Sequence, residues 1–169
     1  MRERDWTTLA PRFGAALQRD ALTVRKRSSG GAVLVSGDLD AAIAALAPGA
    51  PMIGQLADLP ESSAYALRIA RDRALLCSAE PFGARPGWHD GYALSPADDL
   101  YAEIEITGDT DGTLAASCMS ASPGSPSAMT LFAEHPCLVA RAGDTLRVWV
   151  PQAAIAEVWA RLERLVASV

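Results

Sequence analysis

Tyr101–Ser117 reads YAEIEITGDTDGTLAAS, and His135–Val166 reads HPCLVARAGDTLRVWVPQAAIAEVWARLERLV. Together they predict a strand, a helix, further strands and a closing helix. Apolar and polar residues alternate in Asp99–Thr107. Ala102, Ile104 and Ile106 fall on one face and Glu103 and Glu105 on the other, as in a strand with one buried side. Asp109–Cys118 reads as a helix and Ser120–Ser127 (SASPGSPS) as a loop. Three short strands are expected near Met129–Ala133, Cys137–Arg141 and Thr145–Val150, with Ala142-Gly143-Asp144 as the last turn. Gln152–Val166 places Ile155, Val158, Trp159, Leu162, Leu165 and Val166 on one helical face. Pro151 stands just before it, where a missing N–H costs nothing.

Toward the N-terminus the same signature recurs. Ser36–Ala45 (SGDLDAAIAA) aligns without gaps on Thr107–Ala116 (TGDTDGTLAA), 71 residues further on. Each copy follows an apolar run and opens a helix. The Gly permits a sharp exit from the strand. The first Asp is placed to cap the helix, a contribution of about 1 kcal/mol. The second Asp falls where the helix dipole favours negative charge. Two related strand–helix subdomains are expected, with a pseudo-repeat of 32–46 and 103–117 about an approximate twofold. The paired carboxylates would repel a phosphate at either helix start, and neither a Walker sequence nor GxGxxG occurs.

Around this repeat, Ala21–Lys26 and Ala32–Ser36 are expected to form a hairpin through Ser28-Ser29-Gly30-Gly31. Asp38–Leu46 reads as a helix ended by Pro48-Gly49, and 48–62 as a crossing loop. Tyr65–Arg71 and Ala74–Ser78 form a strand pair. Residues 1–20 suit a short helix or a draped arm, with Trp6, Leu9, Phe13 and Leu17 at helical spacing and Pro11 interrupting. The fold class is α+β with mainly antiparallel sheets, one domain over 21–169 behind the arm 1–20.

The chain has 169 residues and a net charge of −5, enough for a core and without a nucleic-acid binder's basic footprint. Arg25-Lys26-Arg27 is the sole basic cluster and reads as a solvated strand end. No stretch approaches a membrane span, and the N-terminus lacks the apolar core of a signal peptide. Cys77, Cys118 and Cys137 are odd in number and far apart, which suits reduced thiols in the cytoplasm.

Chemical groups are sparse. His135 and Cys137 alternate on one strand but lack further ligands at zinc spacing. His89 lies beside Asp90, yet adjacent residues rarely face each other, and no GxSxG accompanies either histidine. No catalytic, cofactor-binding or metal-binding residue is assigned. Glu80–Gly91 (EPFGARPGWHDG) is irregular. Phe82, Arg85, Trp88 and Tyr92 in Pro81–Tyr92 read as a partner interface, being hot-spot residue types; the alternative is that Trp88 and Phe82 fold back as a lid over the chain's own core.

With both halves read, the chain resembles the gamma subunit of heterotetrameric sarcosine oxidase. The motifs are Asp99-Leu100-Tyr101, Ile104-Glu105-Ile106-Thr107-Gly108, the Ser120–Ser127 loop, Cys137-Leu138-Val139, Asp144–Val150 and Trp159-Ala160-Arg161-Leu162. The resemblance implies a small relative of the folate-binding fold of aminomethyltransferases. It implies a non-catalytic subunit with no cofactor of its own, in a flavoenzyme that demethylates a secondary N-methyl amine such as sarcosine. FAD, FMN, NAD, tetrahydrofolate and zinc are implied for larger flavin-binding and folate-binding partner subunits. The alternatives are a stand-alone folate-binding or one-carbon transfer protein, for which Asp99 is the candidate acid, and an unrelated α+β scaffold.

Overall fold

The computed structural model describes residues 10–28, 30–61 and 64–168. In chain order these form β1 Ala16–Arg19, β2 Leu22–Lys26, β3 Gly31–Gly37, α1 Leu39–Leu46, β4 Met52–Ile53, β5 Tyr65–Ala70 and β6 Arg73–Ser78. There follow β7 Gly87–Trp88, β8 Tyr92–Pro96, β9 Tyr101–Thr107, α2 Thr113–Cys118, β10 Met129–Phe132, β11 His135–Ala142, β12 Thr145–Pro151 and α3 Ile155–Ser168. Alternation along the strands sends residues to two cores. In β12, Val148 and Val150 face α3 while Trp149 faces the other sheet. In β3, Val33 and Val35 face α1 while Ala32 faces inward. The result is four layers: α1, a sheet, a second sheet, then α2 with α3. The class is α+β with mainly antiparallel sheets, as the period-two pattern predicted.

Each sheet has six strands, ordered β4-β5-β6-β3-β8-β7 and β10-β11-β12-β9-β2-β1. Position by position, each strand of one sheet corresponds to its repeat mate in the other. The hairpins, however, are exchanged. Hairpin β1–β2 pairs with β9 of the second repeat, and β7–β8 pairs with β3 of the first. One departure from the symmetry is that β4 runs parallel to β5, whereas β10 runs antiparallel to β11.

This exchange overturns the expected hairpin of Ala21–Lys26 with Ala32–Ser36: β2 and β3 lie in different sheets. Gly30 and Gly31 serve close approach and not a positive-φ turn. A Cβ on either would collide with the backbone of Ser78 or of Glu80 and Pro81. The proposed helix in residues 1–20 is absent from 10–20, which instead carries edge strand β1; Trp6 and Leu9 lie outside the described residues. Pro11 and Gly14 (φ +74) break helical backbone there, and Leu17 pairs with Val24. The 48–62 loop contains strand β4, and Glu80–Gly91 contains β7. Strand β8 had no sequence expectation.

Both repeat glycines close their strands at positive φ, +107 at Gly37 and +77 at Gly108, but only Gly37 leads directly into its helix. Asp38 caps α1 by accepting the Ala41 N–H at 3.0 Å. In the second copy the helix starts later, at Thr113. Asp109 reaches forward to accept the Leu114 and Ala115 N–H groups at 3.0 and 2.8 Å. Asp111 lies outside the helix and accepts the Thr113 N–H. Among the described residues no helix is long and apolar enough to cross a membrane.

Candidate functional site

Because Ala102, Ile104 and Ile106 of β9 face the helices, Glu103 and Glu105 must face the other sheet. Pairing sets their neighbours: Arg147 lies opposite Glu105, and Trp149 opposite Glu103. Arg27 leaves β2 alongside, its N–H donating to the Glu103 carbonyl at 2.9 Å. Four side chains close a ring. Arg147 Nη1 donates to Glu103 Oε1 at 2.5 Å, and Arg27 Nη1 to Glu105 Oε2 at 2.7 Å. Arg147 Nε stands 3.2 Å from Glu105, and Arg27 Nε 3.5 Å from Glu103.

Glu103 is only 7% exposed. Burial pushes its carboxyl above the ordinary range, against the opposing pull of Arg147 and Arg27. Of Arg25-Lys26-Arg27, read as a solvated strand end, only Arg25 is exposed. Lys26 is buried, donating to the Pro11 carbonyl at 3.0 Å with its ammonium 5.0 Å from the Phe13 ring, and Arg27 joins the ring.

Beside the ring lies a cavity of about 40 Å³ between the sheets. Tyr65, Tyr101, Trp149, Cys77, Glu103 and Asp98 line it, with Gly30 and Gly31 at one wall. Tyr65 meets Trp149 edge-on, centroids 6.2 Å apart. Burial raises the Tyr65 phenol and the Cys77 thiol. The space suits a few small atoms, far below the several hundred Å³ of an ordinary ligand pocket. Asp98 lines this cavity, its Oδ1 accepting the Ala32 N–H at 2.8 Å. The sequence-based candidate, Asp99, is exposed and outside the lining.

The four residues read as interface or lid divide. Tyr92 is buried beneath α1, and Phe82 packs half-buried against the same cluster. Arg85 is exposed, and Trp88 on edge strand β7 is 83% exposed. His89 stacks on Tyr92 at 5.1 Å and its Nε2 lies 2.9 Å from the Arg85 carbonyl, so it builds the loop. His135 opens β11 and pairs with Glu157 at 3.2 Å; the bend is Ala133-Glu134, both at positive φ. Among the described residues no three His, Cys, Asp or Glu side chains are placed to share a metal. Cys118 and Cys137 are raised by burial to about 11 and about 12.

Sequence reasoning missed the assembled ring and the cavity. The signal was present in part: Glu103 and Glu105 share a face with an arginine on each flanking element. Which strands flank β9 was not readable, because one of them comes from the exchanged hairpin.

The fold is similar to that of a solved sarcosine oxidase chain. The structure is the heterotetrameric sarcosine oxidase from Corynebacterium sp. U-96 in complex with pyrrole 2-carboxylate. The likeness covers 95% of this chain and 89% of that one, with a TM-score of 0.67 and 16% identity. No family model and no curated protein matches the chain.

Proposed function

We propose that this chain is a structural, non-catalytic subunit of a heterotetrameric sarcosine oxidase-like flavoenzyme that demethylates a secondary N-methyl amine. The observation that carries the reading is the fold likeness to a chain of such a complex along nearly the whole length. The motifs from Asp99 to Leu162 point the same way. The filled seam between the sheets also supports it: a cavity of about 40 Å³ has no room for a pterin or a flavin ring. FAD, FMN, NAD, tetrahydrofolate and zinc then belong to the larger partner subunits. Arg85 and Trp88 are the contact residues assigned to this chain, since Phe82 and Tyr92 are engaged in its own core.

Affinity purification of the tagged chain from its native cells tests the proposal. Larger flavin-bearing subunits should co-purify in fixed stoichiometry, with amine-dependent oxidase activity in the assembly. A chain recovered alone, or one that binds a folate by itself, would refute it. The one-carbon transfer reading loses its candidate acid, since Asp99 stands outside the cavity.

A further inference from the structure

A groove of about 490 Å³ lies beside α3, between the helix and Ala10-Pro11. Its apolar lining includes the half-buried Ala156 and Ala160 and the buried Trp159. Among the described residues that line it, the charged ones are Glu157 and Glu163, and both are exposed. Glu157 meets only His135, at 3.2 Å, and Glu163 forms no ion pair with another described residue. The chain enters the groove at a fixed point, because the Pro11 carbonyl accepts a hydrogen bond from Lys26 Nζ at 3.0 Å.

We propose that this groove is the docking site of the chain's own residues 1–9, MRERDWTTL. They lie outside the described residues, and continuity, length and charge select them. Leu9 is bonded to Ala10, which already lines the groove, so the segment is held there at high effective concentration. A second copy or a partner's segment would have to give up free translation to bind in the same place. At 1.5 Å per residue, Ala156 to Glu163 spans about 10 Å of helix. Nine residues reach at most about 30 Å, so Trp6 and Arg4 fall within range with slack to spare. Alternation of an extended chain places Arg2, Arg4 and Trp6 on one side and Glu3 and Asp5 on the other. The arginines then answer Glu157 and Glu163 while the acidic pair faces water. The Trp6 ring covers the alanine-lined floor, which no larger side chain of α3 occupies. The docking is independent of the assembly role.

Nuclear Overhauser spectra of the isotope-labelled full chain test the proposal. The Trp6 indole should give contacts to the Ala156 and Ala160 methyl groups. Glu157→Lys combined with Glu163→Lys should weaken those contacts about fivefold, since like charges replace two exposed ion pairs. Adding Arg2→Glu and Arg4→Glu to the same chain should restore them. The buried Trp159 indole reports in each variant that the fold is retained. Absence of contacts between Trp6 and α3, or contacts that ignore the charge reversals, would overturn the proposal. So would contacts that arise only between differently labelled copies in a mixed sample, which would give the groove to a second copy.

Discussion

Gly37 faces the carbonyl of Gly91 so closely that a Cβ on Gly37 would lie 2.6 Å from the Gly91 oxygen. Gly91 turns the exchanged hairpin β7–β8. Its repeat mate, Gly108, abuts Ala21 in the turn of β1–β2 in the same way. Each repeat glycine thus does two jobs: it turns the chain out of its strand at positive φ and it seats the hairpin of the other half.

Gly108→Ala should therefore cost at least about 2 kcal/mol, combining positive-φ strain with collision against backbone. Gly112→Ala has a similar φ of +71 but open space around it, and should cost only about 1 kcal/mol. Urea midpoints of the two variants check the difference. Equal losses would mean that the close approach carries no energy.

The exchange also predicts interdependence of the halves. Fragments 1–80 and 81–169 each lack a hairpin that their sheet requires. Alone, each should be unfolded by circular dichroism. Mixed or co-expressed, they should form a one-to-one folded complex. A cooperative melt from either fragment alone would contradict this.

Breaking the charge ring should be costly. Arg147→Met leaves Glu103 buried without its 2.5 Å partner, and about 3–5 kcal/mol of destabilisation is expected. The pH dependence has a definite sign. Glu103 is raised above its ordinary value of 4.5 in the fold, so the folded state binds its proton more tightly. The stability this contributes is present below that ordinary value and is lost as pH rises through the folded one. Unfolding free energies of the wild type and Glu103→Gln, compared between pH 4 and 7 (about the carboxylate range), should converge on neither a flat nor a rising difference. The wild type should lose stability relative to the variant as pH rises.

Trp88 and Tyr92 should respond in opposite ways. Trp88→Ala removes an exposed ring and should shift stability by no more than about 0.5 kcal/mol, yet weaken pull-down of the partner subunits. Tyr92→Ala empties a buried site and should cost about 3–5 kcal/mol in the isolated chain. A large stability loss at Trp88 would remove it from the interface.

The three thiols provide a simple readout of packing. Cys77, Cys118 and Cys137 are all buried and all raised by that burial, so few thiolates form at pH 8. A chromogenic disulfide reagent should titrate none of them in the native state and all of them in denaturant. Rapid native labelling would contradict the packing of β6, α2 and β11.

What the sequence revealed was local in origin. The helix-capping Asp38 and Asp109, the α3 stripe and the alternation in β9 depend on neighbours along the chain and are seen in the structure, whereas Asp111 stays outside the helix it was expected to open. What it hid was long-range. Gly30-Gly31 looks like a hairpin turn because the pair is commonest there, but only the fold reveals Ser78 and Glu80 against it. Glu103 looked like an exposed strand residue because alternation distinguishes two faces without saying that both are covered. The burial of Tyr92 was left open between interface and lid because its strand β8 was not recognised next to the irregular loop.

The reciprocal hairpins carry an ancestral implication. Two separate copies of a single half would complete each other's sheets by trading β1–β2 for β7–β8. Joining them in one chain turns what would be an interface between copies into the interior of a single chain. Once joined, the two copies no longer need to stay alike: β12 is followed by the fourteen-residue helix α3, while the segment after β6 lays Phe82 and Ala84 against its sheet.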